Sequence, residues 1–282
     1  MMNLRGAKPI PNQTIKDDIV NFKDINIYDD TLLDSFKENF ISWIANSKNN
    51  KLFGLNNFNH IDFVHGTIQA FDSFYLKYAD KRFRIFKGEF FYHQCCLKNS
   101  LQWEYTDGSD LLDGDALIIS VPFSDYGKIH PILSEKFFTE CDEKNIPILL
   151  DFAYYPMAKN INIDLSHSSI EMLTFSLSKA FYGMEFARVG FRLMKTHFDD
   201  GIKAFNEQQM VNRYGIAIGN HLIQNYSVDY NWEKFGEKYK TICKSMNLEE
   251  TDCIMFGIGG DEYKELNRGS EKNRVCISDL LI

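Results

Sequence analysis

From residue 32 onward the apolar positions fall at helical steps. Leu32, Leu33, Phe36, Phe40 and Trp43 recur every three or four residues, so "TLLDSFKENFISWIAN" is predicted to be a helix with one buried face. The thirty residues before it are mostly polar, with Pro9 and Pro11 near the start, and read as an arm. "HIDFVHGTIQAFDSFYLKYAD" then predicts a short lead-in, a Gly-Thr turn and an amphipathic helix whose first N–H groups can receive an anion. Short apolar runs follow: "FRIF", "ALIISV", "IPILLDF", "MLTFSLS" and "RVGFRLM", with the helical pattern "ILSEKFFTECDEK" between the second and third. Runs that are continuously apolar, rather than alternating, belong to strands covered on both faces. The expected fold class is α/β, a mostly parallel sheet flanked by helices.

Beyond Phe191 come the long helical patterns "FDDGIKAFNEQQMVNRYGIAIGNHLIQNY" and "NWEKFGEKYKTICKSM", then the short apolar segments "CIMFGI" and "RVCISDLLI". These predict a small α+β C-terminal unit. The expected division is an arm and helix over 1–50, a large domain over 51–205, and a small domain with its linker helix over 206–282. The chain has only 6 prolines and no Pro/Gly/Ser tract, so a continuous helix is expected at the join rather than a flexible tether. In "FGIGGDEY", Gly257, Gly259 and Gly260 do not form G-x-G-x-x-G and read as a turn.

Composition narrows the function. A net charge of -8 without a basic stripe argues against nucleic acid as a partner. No apolar run approaches the roughly 20 residues that span a bilayer, and the first residues lack the apolar core of a secretory signal; a soluble, cytoplasmic protein without a membrane partner is expected. Neither the six cysteines nor the seven histidines show metal-site spacing. No metal is expected, and the thiols read as small hydrophobes.

The chemistry centres on "TFSLSKAFYGMEFARVGF". Lys179 follows a buried-strand pattern, where an unpaired ammonium is costly and a Schiff base to an aldehyde would remove the charge; the plain alternative is a surface lysine in a loop. Ser176, Ser178 and Arg188 offer two hydroxyls and a cationic fork suited to a phosphate near that lysine. Upstream, "ILLDFAYYP" ends a strand pattern in Asp151, at the strand end where open α/β sheets bind ligands. Asp151 can hold a protonated pyridine nitrogen and Tyr154 can donate to a phenolate oxygen; a helix cap or ion-pair partner is the alternative for the aspartate.

"SLSK" with Arg188 and Gly190, preceded by "DFAY" and "HGTIQA", resembles the fold-type I pyridoxal-phosphate (PLP) enzymes, in particular the class I/II aminotransferases. The resemblance runs from about Gly66 to the C-terminus. It implies PLP as cofactor, an amino acid and a keto acid as substrates, and a homodimer. Lys179 would form the Schiff base, Asp151 would pair with the ring nitrogen and Tyr154 would bind the ring hydroxyl. Ser176, Ser178, Arg188 and the backbone at Gly66 and Thr67 would hold the phosphate. Phe90 best matches the aromatic stacked on the ring, with Phe91 as alternative; for either, core packing remains open. "EKNRVCIS" matches the segment whose arginine binds the substrate α-carboxylate, which makes Arg274 the candidate; an exposed edge-strand arginine is its alternative. The expected reaction is transamination, with decarboxylation, elimination, racemisation, or cofactor binding with little turnover as alternatives.

Three departures stand out. Where the family has an Asn-Pro-x-Asn-Pro-x-Gly loop, this chain has "SVPFSDYGKIHP", and matching Gly127 to the loop glycine puts Ser124 in place of the asparagine. The interval from Lys179 to Arg188 is one residue longer than is common, so the turn between them must be remodelled. The chain is also short, with only eight residues after Arg274, which implies a minimal small domain and reduced closure over substrate.

Overall fold

The structure is a computed structural model and describes residues 4–23 and 25–282. Residues 1–3 and 24 of the expected N-terminal arm lie outside the described residues.

The arm contains a helix that the polar pattern did not predict, α1 (Gln13–Asn21), capped by the Asn12 side chain and anchored by buried Ile15. Helix α2 (Leu32–Ala45) buries Leu32, Leu33, Phe36, Phe40 and Trp43, as its periodicity requires. Strand β1 (Lys51–Phe53) follows, then β2 (His60–Val64), α3 (Thr67–Lys77), β3 (Arg82–Phe86), α4 (Phe91–Ser100), β4 (Trp103–Thr106), β5 (Asp115–Ser120) and α5 (Glu135–Glu143). Next come β6 (Ile148–Asp151), β7 (Asn162–Asp164), β8 (Ile170–Ser176), the one-turn helices α6 (Leu177–Ala180) and α7 (Met184–Ala187), and β9 (Gly190–Met194). The chain ends with α8 (Gly201–Glu207), α9 (Arg213–Asn225), α10 (Tyr230–Ser245), β10 (Glu249–Glu250), β11 (Phe256–Gly259) and β12 (Asn273–Cys276).

Seven strands form the main sheet in the order β2-β9-β8-β6-β5-β3-β4. All run parallel except β9, which is antiparallel to both neighbours. The lead-in "HIDFV" is thus itself a strand, at one edge of the sheet. Strands β5 and β6 are buried at every position, which is why the runs 116–119 and 148–150 are continuously apolar, with polar residues only at the strand ends. Helix α2 packs with α9 on one face through Phe36, Phe40 and Ile216, and α3 covers the other through Phe71 and Phe74.

The small sheet is antiparallel, in the order β10-β11-β12, and shares a separate core with α10 through Phe235, Tyr239, Phe256 and Val275. Two expectations change here. "FGIGGDEY" is not a simple turn: its first half is β11, in which Gly257 and Gly259 pair with Val275 and Asn273. The first long helical pattern is also interrupted, by Gln209 at φ 57 between α8 and α9, and the continuous helix expected at the join is broken at residues 226–229 before α10. At the second break, buried Asp229 accepts from the Ser47 hydroxyl and the Lys48 N–H instead of continuing a helix. The join between the cores is therefore a pair of helices with a corner between them. Ile216, Leu222 and Val228 belong to the large core and Phe235 to the small one, so along α9 and α10 the cores change over between residues 228 and 235, later than the expected boundary at 206.

Candidate active site

The carboxyl ends of β6 and β8 open onto a cavity of about 430 Å³. Thr67, Phe90, Phe91, Ser124, Asp151, Tyr154, Ser176, Ser178, Lys179, Arg188 and Arg274 all line it. Residues spread over more than two hundred positions thus converge where open α/β sheets present ligand sites.

At one end, α3 begins at Thr67 behind Gly66, whose φ of +82 is a conformation that L side chains rarely adopt. A Cβ at Gly66 would lie 2.5 Å from an Arg188 nitrogen, so the glycine lets the guanidinium lie against the turn. Arg188 donates to the His65 carbonyl at 3.2 and 3.3 Å. Ser176 and Ser178 share a hydroxyl hydrogen bond of 2.8 Å, and Ser176 Oγ also accepts from the Ser178 N–H. A helix N-terminus, two hydroxyls and a guanidinium form a cradle for an anion. Gly190 permits this closeness: a Cβ there would lie 2.5 Å from the Phe175 carbonyl oxygen and 3.2 Å from the Gly66 Cα. Between Lys179 and Arg188 the chain runs through the end of α6, a left-handed Gly183 at φ +105 and α7.

Lys179, on α6, is partly buried, and its Nζ donates to the Ala7 carbonyl at 2.5 Å. Burial lowers its pKa. Asp151, at the end of β6, is 3% exposed. Its Oδ1 accepts from the Thr174 hydroxyl and the Ala153 N–H, both at 3.0 Å. Burial raises its pKa to about 7, with the nearby Glu89 charge adding to the effect and the Thr174 hydrogen bond opposing it. The aspartate neither caps a helix nor joins an ion pair among the described residues, and an adjacent cation would favour its ionised form. Burial likewise raises the Tyr154 hydroxyl to about 12, and its ring meets Phe256 edge-on at 5.2 Å. Phe90 is half-buried and stacked with Tyr92, whereas Phe91 is 63% exposed.

Arg274 is 4% exposed and not a surface arginine, although β12 is an edge strand. It donates to the carbonyl oxygens of Ser124 at 2.5 Å and Arg5 at 3.0 Å, lies 4.4 Å over the Phe256 ring and leaves its buried Nε without a partner. Ser124 is fully buried, and its hydroxyl accepts from Arg268 at 3.0 Å.

Four contributors escaped the sequence reading: Arg5 to Ala7 of the arm, Ser120, Glu89 and Arg268. Arg5 to Ala7, Ser120 and Arg268 line the cavity. Glu89 is buried beneath it, accepting from the Phe90 and Ser120 N–H groups at 2.7 and 2.9 Å. "NRGS" carries no periodic or motif signal, and the polar arm shows only scattered apolar residues such as Ile10, which seals it against the small core.

No protein-family model matches the sequence, and no curated protein matches it. Solved structures do match, and they define the class of architecture: the chain has the fold of the fold-type I PLP-dependent enzymes, in its class I/II aminotransferase form. It is similar to the alanine aminotransferase from Pyrococcus furiosus at a TM-score of 0.67 and 12% identity, covering 98% of this chain and 87% of that one. It is similar to the histidinol-phosphate aminotransferase from Clostridium acetobutylicum at 0.63 and 13%, covering 99% and 95%. It is also similar to the PLP-bound C-S lyase from Staphylococcus hominis at 0.64 and 12%, covering 100% and 88%.

Proposed function

We propose that this chain is a PLP-dependent enzyme acting on α-amino acids, and that it transfers the amino group to a 2-keto acid. The observation that carries the reading is the convergence of Lys179, buried Asp151 and the anion cradle of Thr67, Ser176, Ser178 and Arg188 on one cavity. These residues fit a phosphorylated pyridine aldehyde at three separated points, one per functional group.

When bound, PLP supplies an electron sink for the bonds at the substrate α-carbon. The protein does the rest. Lys179 would hold the cofactor, and its Nζ, its pKa lowered by burial, is the group that would take the substrate α-proton as general base. Asp151 would ionise beside the ring nitrogen and keep a proton there. Tyr154 and Ser124 would donate to the ring oxygen, Phe90 would pack on the ring face, and Arg274 would pair with the α-carboxylate.

A second reading, elimination from the same bound state, is favoured by the C-S lyase among the similar structures and by the replacement of the family asparagine with Ser124. A cytoplasmic location and a homodimer whose active sites lie at the subunit boundary are part of the proposal. The homodimer is supported by exposed apolar side chains such as Phe91 and Phe186.

The test is to incubate the protein with PLP, reduce with borohydride and map the adduct. A pyridoxyl group on Lys179 supports the reading, and its absence refutes it. A donor screen that follows keto acid with and without an acceptor then separates transfer from elimination.

A further inference from the structure

Two arginines, not one, close the far wall of the cavity. Arg268 lies in the loop before β12, and Arg274 on the strand itself. Both donate to the same acceptor, the Ser124 carbonyl oxygen, at 3.0 and 2.5 Å. Arg268 also reaches the Ser124 hydroxyl at 3.0 Å and the Glu89 carbonyl at 3.2 Å. Among the described residues no carboxylate hydrogen-bonds either guanidinium, and Arg274 keeps its buried Nε unpartnered.

Two like charges meeting at one neutral oxygen repel each other, and neutral carbonyls compensate them only in part. Burial lowers the Arg268 pKa, and the charge of Arg274 lowers it further. The Asp125 and Glu89 charges act in the opposite sense on Arg268, but neither carboxylate hydrogen-bonds a guanidinium among the described residues, burial raises the pKa of both, and Asp125 is hydrogen-bonded to Ser270. An anion placed between the guanidiniums would satisfy both. The other cationic groups on the cavity do not serve this end: Arg188 lies against the Gly66 turn, Lys179 on the arm, and Arg5 turns to the Glu265 carbonyl.

We infer that Arg268 is a second carboxylate-binding residue, and that it and Arg274 grip one substrate carboxylate between them. This rests on the amino-acid reading above and deepens it. The site then takes its grip from the group that every α-amino acid and 2-keto acid shares, so Arg268 contributes affinity without selecting the side chain. The site had room for such a residue because Ser124 is short: its hydroxyl accepts the Arg268 bond that brings the guanidinium to the wall.

The test is calorimetric titration of the full-length, PLP-treated protein with pyruvate and with 2-oxoglutarate. It compares wild type with Arg268→Met, Arg268→Lys, Arg274→Met and the double Met variant. Heat is read whether or not a cofactor adduct is present, so failure of the PLP reading appears separately, as no borohydride-fixed pyridoxyl group in the wild type. The expected result is that Arg268→Met weakens both keto acids by the same factor, roughly tenfold or more. The double variant should lose less than the product of the two single losses, since a shared carboxylate couples them. Thermal unfolding checks the fold of each variant. Should Arg268→Met not fold, Arg268→Lys carries the test through an equal loss, about threefold or more, for both ligands. The inference is overturned if the wild type binds neither ligand, if the folded variant binds both as tightly as wild type, if the loss is confined to 2-oxoglutarate, or if the two losses multiply in full.

Discussion

Lys179 donates its Nζ hydrogen bond to the carbonyl oxygen of Ala7, 172 residues earlier in the chain. The arm that begins the chain therefore covers the one amine around which the site is built. Its hold on the wall is doubled where Arg274 donates to the Arg5 carbonyl.

This contact makes the arm a cover over the lysine. Deleting residues 1–8 should speed capture of PLP by Lys179 about fivefold, the effect of removing one hydrogen bond worth about 1 kcal/mol. The growth of the cofactor absorbance after mixing measures the rate. Equal rates in the two proteins would show that the arm is no barrier.

Asp151 predicts a pH dependence of stability. Its folded pKa, about 7, lies above the ordinary aspartate value of 3.8, so between those values the native cofactor-free protein binds more protons than the unfolded chain. Stability contributed by this group is complete below about pH 4 and is lost as pH rises through 7. Glu89, also raised by burial, acts in the same direction. Midpoints of urea unfolding measured from pH 5 to 8 should fall with pH, and Asp151→Asn should flatten that slope. A slope unchanged by the substitution would place the titration elsewhere.

Arg274→Lys keeps a charge but loses the planar fork. Amino-acid turnover should drop by roughly 10- to 150-fold in kcat/KM, equivalent to about 1.5–3 kcal/mol, with Arg274→Ala at least as severe. The absorbance of the cofactor bound without substrate should be unaffected. Near wild-type efficiency in both variants would remove Arg274 from the substrate site.

Gly190→Ala tests the packing that holds the anion cradle together. The new methyl would press on the Phe175 carbonyl oxygen and the Gly66 Cα, backbone atoms that cannot swing away. A loss of about 1–3 kcal/mol in urea unfolding is expected, with weaker PLP retention. A neutral substitution would mean that β9 and the Gly66 turn separate without cost.

Local sequence was enough for much of this molecule because some physical signals need no partner. The continuous apolar runs of β5 and β6 reveal strands covered on both faces, since a polar side chain in mid-strand would have to find a buried partner. The three- and four-residue spacing of α2 reveals which face is buried. "SLSK", Arg188 and Gly190 are readable because an amine, two hydroxyls and a guanidinium within fifteen residues are bound to one strand end. The separate aspartate at the end of β6 is legible from its own strand.

Other features depend on distant atoms. The antiparallel run of β9 is set by pairing with β2 and β8, and nothing in its five residues, GFRLM, states a direction. At the break over residues 226–229, Asp229 meets Ser47 and Lys48 across the fold, a contact that no local pattern announces. Arg268 sits in a polar loop, where a surface arginine is the ordinary expectation, and only the folding of that loop against Ser124 and Glu89 turns it inward. Periodicity records burial along one element; where two ends of the chain meet, as Ala7 meets Lys179, the contact energy belongs to the tertiary structure alone.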